Sequence, residues 1–184
     1  MIAGGRCSRC WRAAGVIVLA AVLLTAPAKA QDAASVKAAF LYNFAKFTEW
    51  PALEPAAAIS FCVVGDDEIA AALVQTLRGQ NISGHPLQVV RPQDGSTWRG
   101  CQLLFIAGAE SRRSSGGLGS IKTLPVLTIS DGKGFIDAGG MIEFYVEGGR
   151  MRFAINPKAI DPTGLRLSSR LLGLAKIEGT GDVQ

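Results

Sequence analysis

The chain reads as an α/β protein: a mainly parallel sheet flanked by helices and finished by an antiparallel hairpin near the C-terminus. Three observations predict this. Short apolar, β-branched runs recur at Ile59 to Val64, Leu87 to Val90, Cys101 to Ile106 and Pro125 to Ile129. The stretch between the first two, Glu68 to Arg78, carries Ile69, Leu73 and Leu77 at helical spacing. Met141 to Val146 and Arg150 to Ile155 flank Glu147-Gly148-Gly149, the pattern of two strands joined by a tight turn.

The first thirty residues have a different character. Arg6, Arg9 and Arg12 precede an apolar run from Ala13 to Ala26, and Ala28-Lys29-Ala30 follows as a small-x-small site. This is the layout of a secretory signal peptide, so residues 1–30 are expected to be cleaved and residues 31–184 to form one domain in the periplasm. The run is shorter than the roughly 20 apolar residues a membrane span needs. The leader holds four of the 19 basic residues and no acidic one, which leaves 15 basic against 15 acidic in the mature chain. A balanced chain whose only short basic run is Arg112-Arg113 does not predict a nucleic-acid surface.

In chain order, Ser35 to Trp50 predicts an amphipathic helix with Val36, Phe40, Phe44 and Phe47 on one face, ended by Pro51. After the first strand Gly65 turns the chain, and Asp66 and Asp67 sit where a helix start favours negative charge. Residues 79–86 read as a loop. Glu110 to Lys122 is rich in Ser and Gly, so only a weak helix is expected there. Ser130-Asp131-Gly132 stops the fourth strand. Asn156-Pro157 gives a cap with proline at the first helical position. Leu165 to Ile177, with Leu167, Leu171, Leu174 and Ala175 at helical spacing, predicts a last helix before a polar tail.

Cys7 and Cys10 leave with the leader, so Cys62 and Cys101 remain, and in an oxidising compartment they are expected to form a disulfide. The bond constrains topology. It needs Cα atoms within about 7 Å, and neighbouring strands lie about 4.8 Å apart. The first and third strands should therefore be neighbours, as in the 2-1-3-4 order of flavodoxin-like or Rossmann-like sheets.

No catalytic or metal site is predicted, and no cofactor. The single histidine, His85, precedes Pro86 in a loop, and no ligand cluster surrounds the cysteines. Val63-Val64-Gly65-Asp66-Asp67 is similar to the start of a nucleotide-binding unit, but two aspartates occupy the position where phosphate would sit. Gly65, Gly108, Ser130 and Asp131 fall at strand ends, where open α/β sheets bind ligands, and form a candidate crevice. Tyr42 and Trp50 fit the apolar helix face less well than the phenylalanines and are candidate interface anchors for a partner.

KAAFLYNFAKFTEWP, FCVVGDDE, LLFIAG, LTISDGKGF, GGMIEFYVEGGRMRFAIN and LRLSSRLLGLAKI occur in this order. Together the segments resemble the YfiR family of small periplasmic regulators, which includes HmsC-like proteins, from Val36 to Ile177. The resemblance implies a dimer that restrains an inner-membrane diguanylate cyclase by binding its periplasmic sensor region. It also implies that an outer-membrane lipoprotein can sequester the repressor, so that cyclic-di-GMP, exopolysaccharide and biofilm are controlled. Some relatives carry a second cysteine pair in the C-terminal half; this chain has no cysteine after Cys101. Three functions follow for comparison: a protein-binding repressor, a small-molecule-binding module using the strand-end crevice, and, far behind, a hydrolase using Ser130 or Ser83 with His85.

Overall fold

The computed structural model describes residues 28–51, 53–111 and 113–179. Most of the leader expected over residues 1–30, Arg112 of the short basic run and residues 180–184 of the polar tail lie outside the described residues. Helix α1 (Ala28–Lys46) is followed by strand β1 (Thr48–Glu49), β2 (Ile59–Val64), α2 (Asp67–Leu77), β3 (Asn81–Ile82) and β4 (His85–Val90). A 3-10 turn over Gly95–Gly100 leads to β5 (Leu103–Ile106), the short helices α3 (Gly108–Ser111) and α4 (Ser115–Ile121), and β6 (Leu127–Ser130). The hairpin is β7 (Ile142–Glu147) and β8 (Arg150–Ile155). The chain closes with α5 (Pro157–Ile160), β9 (Arg166–Leu167), α6 (Ser169–Leu172) and β10 (Lys176–Ile177).

The main sheet has the order β10-β8-β7-β6-β5-β2-β4-β3. Its β4-β2-β5-β6 centre is parallel and is the expected 2-1-3-4 arrangement. The disulfide Cys62–Cys101 links β2 to the residue pair leading into β5, with Cα atoms 5.8 Å apart. Both faces of β2, β5 and β6 are buried, which explains why these strands read as continuous apolar runs, whereas β4 alternates between half-buried and exposed residues. Alternate residues serve different layers. Phe61, Val63, Leu103 and Phe105 face the core under α1 and α2. Cys62, Leu104 and Ile106 face a second core with Trp98, Leu118 and Ile121.

Two helix expectations are corrected. Helix α1 begins before Ser35 and stops short of Trp50. The Thr48 hydroxyl donates to the Phe44 carbonyl at 2.7 Å, and Thr48–Glu49 then pairs antiparallel with β9. Strand pairing takes residues that periodicity assigned to the helix. The buried stripe of α1 is Ala34, Ala38, Leu41, Phe44 and Ala45, turned from the stripe through Val36 and Phe40. Phe40 and Phe44 instead join Phe144 and Phe153 of the hairpin, with ring centroids 4.9 to 5.9 Å apart. Such pairs contribute about 0.5–1.5 kcal/mol each beyond the area they bury, and they clamp α1 across β7 and β8.

The segment Leu165 to Ile177 is not one helix. Gly164 ends the preceding turn at φ +73°, β9 pairs with β1, and Ser168 then caps the single turn of α6 by accepting from the Leu171 N–H at 3.3 Å. β10 finishes along β8. Leu171 is buried, whereas Leu174 is 73% exposed. The leucine spacing fits a helix, but two strand pairings and Gly173 break the run.

Candidate functional site at the carboxyl ends of the strands

The four strand-end residues singled out from the sequence meet two different fates. Gly65 sits at φ +78°, and a Cβ there would lie 2.3 Å from Cγ of Glu110, so the Glu110 side chain covers it. Gly108 lies against Gly132, where a Cβ would come within 2.9 Å of the Gly132 Cα. Ser130 is fully buried, and its hydroxyl accepts the Gly132 N–H at 2.9 Å. At Gly65 and Gly108 the space a side chain would take is already occupied by the protein's own atoms.

Asp131 is the exception. One carboxylate oxygen accepts the Gly108 N–H at 2.7 Å, and the other pairs with Lys37 of α1. Asp131 also lines an open notch of about 560 Å³. Residues 143–146 of β7 line one side of it, and Met151, Lys176 and Glu178 another. β6 ends at Ser130, paired with Glu143, and residues 144–147 run on with β8 on one side and, among the described residues, no strand on the other. The strands β7 and β8 therefore project as an arm past the carboxyl ends of the parallel strands.

Charge at the notch is nearly all spoken for. The Glu143 carboxylate accepts the N–H groups of Gly134 and Ile136 at 3.3 and 3.2 Å. Lys176 pairs with Glu178, and that hydrogen bond, with the charge of Glu178, raises the lysine above its ordinary range. Arg152 lies 3.9 Å from Glu147 on the arm. Among the described residues, Lys133 and Arg150 pair with no carboxylate. This arrangement can bind a charged group or an extended chain.

Tyr42 and Trp50 do not meet at this site. The Tyr42 hydroxyl reaches Gln80 at 3.4 Å, and the Trp50 indole N–H donates to the Gln102 carbonyl at 3.2 Å; both rings pack on the core. The His85 ring contacts the Ala57 carbonyl at 2.9 Å from the amino end of β4. Ser130 sits at the carboxyl end of β6, so the two stand at opposite ends of the parallel strands. Ser83 lies in the β3–β4 turn at φ +52°.

Sequence reasoning missed Lys37, Lys133 and Glu143, because it did not compare strand lengths. The signal was present: the hairpin strands run six residues, and the preceding parallel strand runs four.

The profile of the YfiR/HmsC-like family matches residues 34–176, from the first turns of α1 to β10. The chain belongs to the YfiR/HmsC-like family. That family is known as one of periplasmic regulators of the cyclic-di-GMP system, regulatory rather than catalytic. No helix among the described residues is long and apolar enough to cross a membrane. A solved structure of a conserved domain protein from Vibrio cholerae O1 biovar El Tor str. N16961 is similar at 10% identity, with a TM-score of 0.47 over 78% of this YfiR/HmsC-like chain. The chain spans 59% of the length of that protein.

Proposed function

We propose that this protein, cleaved after Ala30 and folded as one domain over residues 31–184, restrains an inner-membrane diguanylate cyclase by binding its periplasmic sensor region. The match of the YfiR/HmsC-like family across residues 34–176 carries the reading. The mechanism is differential affinity: a repressor that binds the inactive sensor more tightly shifts the cyclase toward that state, without chemistry of its own. The protein acts as a homodimer, and an outer-membrane lipoprotein relieves repression by sequestering it. The Cys62–Cys101 bond agrees with this compartment, since disulfides persist where the environment is oxidising.

The deciding measurement is cellular cyclic-di-GMP in a strain lacking the protein. The level should rise and fall back when the mature chain is returned to the periplasm, but not when it is kept in the cytoplasm. An unchanged level under several growth conditions overturns the repressor reading. A second reading, a small-molecule-binding module, is favoured by the 560 Å³ notch beside Asp131. In that reading the ligand tunes partner affinity.

A further inference from the structure

The two edges of the main sheet differ from the arm in how they are guarded. Exposed strand edges invite pairing with other chains, and proteins blunt them with prolines, charges or short length. At one end of the sheet the open part of β4 is bracketed by Pro86 and by Arg91-Pro92. At the other end β10 is two residues long, and the open part of β8 carries Arg150 and Arg152. The open edge of β7, Phe144-Tyr145-Val146-Glu147, has no proline and no basic residue. Val146 is 71% exposed on the same face as Phe144.

The backbone there is free to pair. The two-residue turn Gly148-Gly149 closes on the Glu147–Arg150 pair, so Glu147 and Tyr145 exchange bonds with β8. The N–H and C=O of Val146 consequently point to the open side. Among the described residues, two cations near the arm pair with no carboxylate: Lys133 beside Asp131 at its root, and Arg150 of β8 across the turn from Glu147 at its tip. Four strand residues separate root from tip, about 13 Å.

We propose that the open edge of β7 is a docking strand for an extended, acidic segment of a protein partner, whose carboxylates meet Lys133 and Arg150. This names a surface for the regulatory contact proposed above and rests on that reading for the identity of the partner. Main-chain bonds to β7 supply affinity, and the end charges set direction. A second copy is the poorer occupant. Symmetric antiparallel pairing of two β7 edges sets the Arg150 end of one copy against the Lys133 end of the other, cation to cation.

The test uses the mature chain labelled with ¹⁵N and a capped peptide, Thr-Asp-Val-Thr-Val-Asp-Thr, with its two aspartates four residues apart. The amide signals of residues 144–147 should move on titration and saturate with a Kd below about 1 mM. Reversing both cations, Lys133→Glu with Arg150→Glu, should weaken binding about tenfold, and a peptide with lysines for aspartates should not bind. Val146→Pro removes the outward donor and should abolish the shifts while the rest of the spectrum is unchanged; should that variant not fold, the charge reversal decides. Signals at residues 144–147 that stay fixed, or that move equally with the lysine peptide, overturn the proposal, as does concentration-dependent dimerisation lost in Val146→Pro. In cells, a wild-type chain that restores repression beside a charge-reversed chain that restores it equally also overturns the docking strand. A wild-type chain that restores nothing overturns the repressor reading instead, and the peptide titration then decides the edge.

Discussion

Removing the Cys62–Cys101 bond should destabilise the protein by about 4 kcal/mol, through the unfolded chain more than through the folded one. The bond joins residues 39 apart. In the chain-entropy model a loop of that length removes about 13 cal/mol/K from the unfolded ensemble, which is about 4 kcal/mol at 25 °C. Both cysteines are buried against Trp98, Leu104 and Ile106. The variant to make is therefore Cys62→Ala with Cys101→Ala, because serine would add the cost of burying a hydroxyl. The bond ties β2 to the entry of β5, two strands already held by parallel pairing, so the native fold keeps its register without it. For a chain of this size the urea slope is about 2 kcal/mol/M, and the unfolding midpoint should fall by about 2 M. The melting temperature should fall by about 8–16 °C. The assay is equilibrium urea unfolding of the variant and of wild type, with and without reductant. Reduced wild type should approach the variant. A midpoint within 0.5 M of oxidised wild type (about 1 kcal/mol at that slope) would refute the entropic argument.

Other predictions concern packing and charge. Gly132→Ala places a Cβ 2.4 Å from the Ser111 hydroxyl oxygen and 2.9 Å from the Gly108 Cα. It should cost about 1–3 kcal/mol in thermal unfolding, with Ser111→Gly restoring part of the loss. Leu171→Ala should cost about 2–4 kcal/mol, whereas Leu174→Ala should stay within about 0.5 kcal/mol; equal losses in denaturant would mean that residues 165–177 form one amphipathic helix after all. The Asp94 carboxyl is held below its ordinary range, first by the side-chain hydrogen bond from Ser96 and then by the Ser96 N–H. Its depressed value means that the cap it provides is intact above the ordinary carboxylate range and is lost as pH falls through the folded value. Ser96→Ala should move the Asp94 titration upward in carbon-detected NMR, and an unmoved midpoint would sink that assignment.

Much of this protein was legible in its residues because local rules and global structure agree there. Buried strands must be apolar on both faces, so Ile59–Val64 and Leu103–Ile106 announce themselves. Asp66 is followed three residues on by Ile69, and the structure has its carboxylate accepting that N–H at 2.9 Å, as the negative charge at the helix start suggested. The bond between Cys62 and Cys101 then orders the strands, since a covalent bond has a fixed reach.

Tertiary structure decided what depends on distant neighbours. Thr48–Glu49 leaves its helix, and residues 165–177 give up theirs, because β1 and β9 satisfy each other's backbone across more than a hundred residues, an interaction that no local window contains. The site moved for the same reason. Gly65 and Gly108 have the positions of a ligand crevice, but whether that space is open depends on Glu110 and Gly132 lying against them. The notch beside Asp131 gathers residues of α1, β7, β8 and β10, which become neighbours only on folding.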